Sequence, residues 1–371
     1  MSYLITDIRT YVVQVPLAST WQTSLYKSNA TRGHAIVEVT TEGGVKGYGE
    51  ASPSAAFMGE TADTIKFMND TYLAPLLRGK DIRNIGTIHQ LMDSSIYGMY
   101  SAKATIDIAV HDALAKTLDQ PLYAIIGGLL NEKIPLTYVI GMTSDDRIFK
   151  EVEEAVEFSY EVIKIKVGSD WEKEAAIINK VCAFIQRKGL HTRVRLDANQ
   201  GFTVDDAIRF AGRLTHKGLI DAFEQPVQKR NVSGLLEVKR YSGLPIMADE
   251  SVFNLADAAD VFERKAVHLL NIKLGKVGGI YPAKKIAAAA EAHGIPCTVG
   301  SNLELGIGIA ANMHFVASTK NAVVPHDLFA GHMLHKRDIV DDSLKRHLQD
   351  GYLSVPDGAG LGVRLNEDWK N

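Results

Sequence analysis

Two lysines, Lys164 and Lys166, stand two residues apart inside the apolar run Val162–Val167. Positions two apart on a strand share a face, so both ammonium groups enter the same space. Lysine is rarely buried without a partner or a task. When desolvated or set beside other cations it shifts its pKa readily and becomes a usable base near neutral pH. Lys273 lies at the end of another apolar run, Leu269–Leu274, and supplies an ammonium from the other side. Three further runs close on acids, Asp197, Glu224 and Asp249, at intervals of 27 and 25 residues. Three converging carboxylates without cysteine or histidine make a hard oxygen site, the type that selects Mg²⁺ or Mn²⁺ over zinc. Left without a cation, they repel and raise one another's pKa. Each alone is equally well a cap on the next helix; together they point to a metal. A cation and flanking lysines suit removal of the proton α to a carboxylate, with charge stabilised at the developing oxyanion. Bases on opposite faces permit racemisation.

Such residues need elements that end at one place. From about residue 134, short apolar runs alternate with amphipathic helical segments. The runs are Ile134–Met142, Val162–Val167, Arg193–Ala198, Ile220–Gln225, Pro245–Ala248, Leu269–Leu274, Pro296–Val299 and Ala322–Val324. They read as eight strands buried on both faces of a parallel sheet. The regular alternation predicts a (β/α) barrel, whose active site lies at the carboxyl ends of the strands. Upstream, Ile5–Val15 and Ala35–Thr40 alternate apolar and polar residues, and Glu42-Gly43-Gly44 turns into Val45–Gly49, which predicts an antiparallel sheet. Residues 61–79 and 83–117 carry helical periodicity. In the second run Ala102, Ile106, Ala109, Ala113 and Leu114 form an apolar face, with Asp107 and Asp112 off it. Sheet first and helices second describe an α+β unit ending near Gly127-Gly128.

A length of 371 residues suits a barrel with a smaller companion. The net charge of −3 leaves no basic footprint for nucleic acid and no polybasic patch for a membrane. Charges or glycines interrupt the longest apolar stretches, so no bilayer span is expected. No signal-peptide pattern follows Met1. Cys182 and Cys297 sit in apolar settings without metal or redox spacing, as buried thiols do. A cytoplasmic protein is the expectation.

The combination Lys164-Ile-Lys166, Leu196-Asp197-Ala-Asn199, Phe223-Glu224-Gln225-Pro226, Ala248-Asp249-Glu250-Ser251 and Asn271-Ile-Lys273 resembles the enolase superfamily. Within it, the match is to the muconate lactonizing enzyme subgroup of the mandelate racemase/muconate lactonizing enzyme family. Gly47-Tyr48-Gly49-Glu50 and Ala104–Lys116 are similar to the family's first-domain segments, so the resemblance covers nearly the whole chain. It implies an α/β fold: a (β/α)₇β TIM-like barrel over residues 129–344, with an N-terminal α+β capping domain over 1–128 completed by a tail from about 345 to 371. It implies Mg²⁺, or Mn²⁺, on Asp197, Glu224 and Asp249. Lys166 and Lys273 would be the acid/base pair, and Lys164 would add charge near the substrate carboxylate. Mandelate racemase-like relatives use a histidine from a His-Asp dyad where this chain has Lys273. Capping loops, here residues 16–32 and 51–60, would close over a small carboxylate substrate, and many members are homo-oligomers.

Racemisation or epimerisation of an amino-acid-derived carboxylate is the first expectation. The others are β-elimination from a hydroxy acid or hydroxyproline-like substrate, muconate-type cycloisomerisation, and a barrel that holds metal without turnover. Glu50-Ala-Ser-Pro-Ser54 with Gly59-Glu60-Thr61 is similar to the capping segment of dipeptide epimerases. Those enzymes usually add an Asp-x-Asp pair near the last strand, whereas Pro325-His326-Asp327-Leu328 keeps at most one of the two. Asn199, Glu250, Asn302, Glu304, His326 and Asp327 close strands and are candidate substrate contacts; Glu304 is equally well a helix cap. Trp21 and Tyr26, in the first loop, either stack on substrate or pack on the barrel rim. His111 is expected to be structural, and Gly275, Gly278 and Gly279 to form a tight βα turn.

Overall fold

The computed structural model describes residues 2–18, 20–328, 334–341, 344 and 347–370. Strands β1 (Ile5–Pro16), β2 (Thr31–Thr41) and β3 (Lys46–Ala51) form an antiparallel sheet in that order. Their alternation gives one apolar face, on which Ile8, Val37 and Val39 meet Leu73, Leu77, Ile88 and Ile106. The helices on that face are α1 (Ala62–Met68), extended by a π-helical turn at Asn69–Leu73, then α2 (Ile85–Ser95) and α3 (Tyr100–Thr117). The single helical run expected over 83–117 is broken between α2 and α3, where Gly98 and Met99 take left-handed φ values of 66° and 46°. Asp107 and Asp112, expected off the apolar face, are buried as well. Helix α3 is enclosed on all sides, so its acids are satisfied internally. Asp107 meets His89 at 2.6 Å and His111 at 3.4 Å. Asp112 accepts from the Tyr48 and Leu361 backbone N–H groups. The helix lies so close to β3 that a Cβ at Gly47 or Gly49 would come within 2.0 Å of the Ala109 or Thr105 carbonyl oxygen, an approach only glycine allows.

The first expected barrel run is split. Strand β4 (Lys133–Pro135) pairs antiparallel with the tail, and β5 (Thr137–Ile140) enters the barrel. The chain then alternates through α4 (Asp145–Glu157), β6 (Val162–Lys166), α5 (Trp171–Arg187), β7 (Arg193–Asp197), α6 (Val204–Arg213) and β8 (Ile220–Glu224). It continues through α7 (Val232–Ser242), β9 (Ile246–Ala248), α8 (Leu255–Glu263), β10 (Leu269–Ile272), α9 (Ile280–Ala292), β11 (Cys297–Val299) and α10 (Gly306–Ala317). Strands β5 to β11 form one parallel sheet in chain order. The eighth run, expected as a strand at Ala322–Val324, makes only single bridges. Cys297 pairs with Ala322, and Leu136 with His326. Asp327 N–H donates to the Val299 carbonyl and Thr137 N–H to the His326 carbonyl, so this segment closes the circle between β11 and β5. Gly275, Gly278 and Gly279 form the expected turn; Gly279, at φ 107°, caps α9. Both cysteines are free and buried.

In the tail, β12 (Leu348–Gln349) and β13 (Tyr352–Ser354) extend the β4 pairing. Gly360 then exchanges backbone hydrogen bonds with Gln120 and Leu122, and Trp369 sets its ring edgewise to Tyr11 and Tyr48. Among the described residues no helix is long and apolar enough to cross a membrane.

Candidate active site

The carboxyl ends of the strands open into a cavity roofed by the loops of the first domain. Trp21, Tyr26, Arg32 and Phe57 line it from above; Lys164, Lys166, Asn199, Lys273, Asn302 and Asp327 line it from the barrel. Its volume is about 50 Å³, below the range of ordinary small-molecule pockets.

Period-2 geometry turns Lys164 and Lys166 inward from β6. Lys166 Nζ donates to Asp197 Oδ2 at 2.5 Å and to Asn199 Oδ1 at 2.9 Å. Lys164 pairs with Asp327, with Glu224 at 2.7 Å and with Asp197 at 3.6 Å. Across the barrel, Lys273 Nζ donates to Asp249 Oδ2 at 2.7 Å and sits 4.7 Å from the Phe57 ring centroid. The sheet order puts β6 and β10 four positions apart. In a circle of eight positions that is half-way round, so Lys166 and Lys273 face each other.

Burial opposes charge on Lys273 and Lys164, but the acids beside them prevail. Asp249, Glu224 and Glu250 hold Lys273 above its ordinary value; Asp327, Glu224 and Asp197 do the same for Lys164. The lowered values expected from desolvation are therefore absent, because close carboxylates outweigh burial. Burial also resists charge on Asp249, yet Lys273 and Lys276 hold it below the usual range. Glu250 is pushed up to about 8 by burial and by Asp249 and Asp197.

The expected convergence of Asp197, Glu224 and Asp249 is one of charge. Among the described residues no three acidic, histidine or cysteine side chains stand in a metal-holding group, since each of these acids is turned to a lysine. The donor set nevertheless fits a hard cation. Glu250 Oε2 and Asn271 Oδ1 are buried oxygens without a hydrogen-bond partner among the described residues. Glu224 Oε2 also lacks hydrogen-bond geometry, although Lys164 Nζ is 2.7 Å away. Buried acceptors left open in this way suit an ion.

The remaining expected contacts divide. Trp21 both packs on the rim, against Gly141, and lines the cavity. Glu250 is just below, accepting from Asn199 Nδ2 at 3.1 Å. Glu304 folds back to accept from Ser301 Oγ and Asn302 N–H, so it secures its own loop and does not line the cavity. His326 lies in the barrel wall, where its Nδ1 accepts from Val299 N–H and burial lowers it to about 3. Residues not named as site candidates from sequence contact the buried acids. Asn271 Nδ2 donates to Glu224 at 2.7 Å, Lys276 Nζ donates to Asp249 Oδ1 at 2.8 Å, and Arg195 pairs with Asp221 at 2.8 Å. Asn271 and Arg195 stand two residues before Lys273 and Asp197, a spacing that puts each on the same face; Lys276 lies in a turn and has no such signal. Asn199, Gln200, Gln225 and Leu303 take left-handed φ values of 40°, 69°, 34° and 65° at the strand ends, the kind of strain held at functional sites.

Residues 6–127 match the family model "Mandelate racemase / muconate lactonizing enzyme, N-terminal domain", and residues 147–369 match "Enolase C-terminal domain-like". An N-succinyl-L-Arg/Lys racemase of Bacillus cereus is 33% identical, covering 98% of this chain and 96% of the relative. A chloromuconate cycloisomerase of Pseudomonas putida is 34% identical over 96% of this chain and 95% of its own. The crystal structure of a dipeptide epimerase from Cytophaga hutchinsonii, complexed with Mg and the dipeptide D-Ala-L-Val, superposes with a TM-score of 0.90 at 30% identity, over 98% of this chain and 97% of that one. The chain is thus an enzyme of the enolase superfamily and belongs to its mandelate racemase/muconate lactonizing enzyme family.

Proposed function

We propose that the protein racemises or epimerises an amino-acid-derived carboxylate by moving the proton α to it, with Mg²⁺ or Mn²⁺ held by Asp197, Glu224 and Asp249. One observation carries this reading: Lys166 and Lys273 line one cavity from opposite sides of the barrel. Bound at the three acids, the cation would supply positive charge to stabilise the electron pair left when the α-proton departs. The lysines do the proton work. One, in its neutral form, takes the α-proton and becomes an ammonium. The other, as an ammonium, gives its proton to the opposite face and becomes neutral, so the configuration inverts and the proton count is conserved. Lys273 must first separate from Asp249, because that contact holds it charged, and Lys166 must leave Asp197 Oδ2 to reach the substrate. Lys164, buried among Asp327, Glu224 and Asp197, stays an ammonium and offers its charge to the substrate carboxylate. Relatives named as an N-succinyl-L-Arg/Lys racemase and a dipeptide epimerase support an amino-acid derivative.

The test is proton exchange. The Mg²⁺-loaded enzyme is incubated in D₂O with N-acyl amino acids, dipeptides and hydroxy acids, and deuterium at the α-carbon is read by mass spectrometry. The expected result is uptake that chelation abolishes. Lys166→Ala and Lys273→Ala should each stop racemisation, while each still exchanges the one enantiomer whose proton faces the remaining lysine. Racemisation persisting in either variant overturns the two-base reading.

A further inference from the structure

The two facing lysines are gripped differently, and each grip leads to a different loop of the roof. Lys273 lies against Phe57, whose ring centroid is 4.7 Å from Nζ and which is only 6% exposed. An aromatic face attracts an ammonium group. The backbone of Gly300 crowds the same lysine, since a Cβ there would stand 2.6 Å from its Cε. Ring and backbone thus confine a flexible four-carbon stem. Phe57 belongs to the helical turn Ala55–Met58 and also meets Phe253 of the barrel, with ring centroids 6.2 Å apart. Just after that turn, Glu60 accepts from Ser101 and Ala102 N–H at 2.9 and 3.0 Å, which fastens it to the start of α3.

Lys166 is held instead by Asn199 Oδ1 at 2.9 Å. Asn199 has a left-handed φ of 40°, a conformation that persists only where contacts hold it. Its N–H donates to Asp197 Oδ1 at 3.0 Å. Its carbonyl and that of Ala198 share the Ser24 hydroxyl proton, at 3.0 and 2.6 Å. Ser24 is at the tip of a small hairpin, in which Ser28 N–H donates to the Trp21 carbonyl and Thr23 N–H to the Tyr26 carbonyl. This hairpin joins β1 to β2, whereas the Phe57 turn follows β3. The two grips can therefore be altered separately.

We propose that each roof loop positions one base: Phe57 positions Lys273, and Ser24, acting through Asn199, positions Lys166. This rests on the reaction proposed above for the same cavity. Both are positioning residues, and losing either weakens proton transfer on one face of the substrate alone.

For enantiomers, both directions of racemisation must slow together, because their equilibrium constant is one. The decisive rate is therefore exchange with retention. Each pure enantiomer is incubated with the Mg²⁺-loaded enzyme in D₂O, the enantiomers are separated, and early α-deuterium is read by mass spectrometry. Lys166→Ala and Lys273→Ala identify which enantiomer faces which lysine. Phe57→Leu should slow exchange about 10-fold on the Lys273 side and less than about 2-fold on the other, as for a misplaced reacting group. Ser24→Ala should do the reverse. Phe57→Tyr, which keeps the ring, should restore most of the lost rate. If Phe57→Leu does not fold, Phe57→Met, which also lacks the ring, takes its place. Equal losses on both enantiomers overturn the proposal. If the wild type exchanges nothing, the reaction reading falls and access to the lysines decides. Reductive methylation with formaldehyde is then mapped by peptide mass spectrometry. A several-fold change at Lys273 alone in Phe57→Leu, and at Lys166 alone in Ser24→Ala, sustains the positioning roles; a change at both lysines or at neither overturns them.

Discussion

Asp249 is buried with two ammonium groups on it, Lys273 at 2.7 Å and Lys276 at 2.8 Å. Removing its charge strands both. Asp249→Asn should therefore lower unfolding stability by about 3–5 kcal/mol in metal-free urea titrations, as for a broken buried pair. A cost below about 1 kcal/mol would mean that solvent already reaches the lysines. Glu50 behaves in the opposite sense. It lies 3.0 Å from His34, yet burial pushes the acid up to about 8 and the imidazole down to about 3, so both are neutral near pH 7. The contact is then a hydrogen bond between two neutral groups. Folded Glu50 keeps its proton up to about pH 8, whereas the unfolded side chain loses it near its ordinary value of 4.5. The folded state binds more protons across that window, so stability falls as pH rises through it. Glu50→Gln should flatten this part of the decline in denaturation midpoint; an unchanged slope would assign it to another group.

Among the elements, the β3–α3 contact is the most exacting. Thr105 and Ala109 present carbonyls where Gly49 and Gly47 have no side chain, and α3 is in turn packed against the turn before α9. There Asp107 accepts from Ile280 N–H at 2.5 Å while holding His89 and His111. A methyl at Gly49 pushes α3 away from the sheet and disturbs that contact as well. Gly49→Ala should cost about 3 kcal/mol or more, at or beyond the upper end of overpacking penalties, and be read as a lowered thermal midpoint. A loss under about 1 kcal/mol would show that sheet and helix can slide apart.

For the molecule as a whole, the roof and the barrel meet through polar contacts that cross between them. Ser24 Oγ donates to the Ala198 carbonyl, Arg32 to the Asn302 carbonyl, and Glu50 accepts from Leu305 and Gly308 N–H at the start of α10. The Ser24 contact adjoins Asp197, so an ion that binds only the folded protein should stabilise both parts together. Added Mg²⁺ at 100 times its Kd should raise unfolding stability by about 2.7 kcal/mol. Asp197→Asn, Glu224→Gln and Asp249→Asn should each blunt that gain in calorimetric scans. A midpoint indifferent to Mg²⁺ would remove the cation from the proposal.

The amino-acid order alone was enough for the barrel and for its chemistry-bearing ends, because strand periodicity and a one-unit interval between Asp197, Glu224 and Asp249 are local properties. The inward pairing of Lys164 with Lys166 was legible for the same reason. What each group faces was not. Whether Glu304 points into the cavity or back to Ser301, and whether His326 meets substrate or fills a wall, depends on side-chain direction at the end of a turn. The protonation tendencies of the lysines depend on acids brought from other strands, so burial alone misjudged them. The final strand is reduced to single bridges, Ala322 to Cys297 and His326 to Leu136, which an apolar run by itself does not reveal. Arg32 carries no motif at all. Its setting, a buried cation held by four neutral acceptors from Ser52, Pro53 and Asn302, is made by contacts that only the folded chain creates.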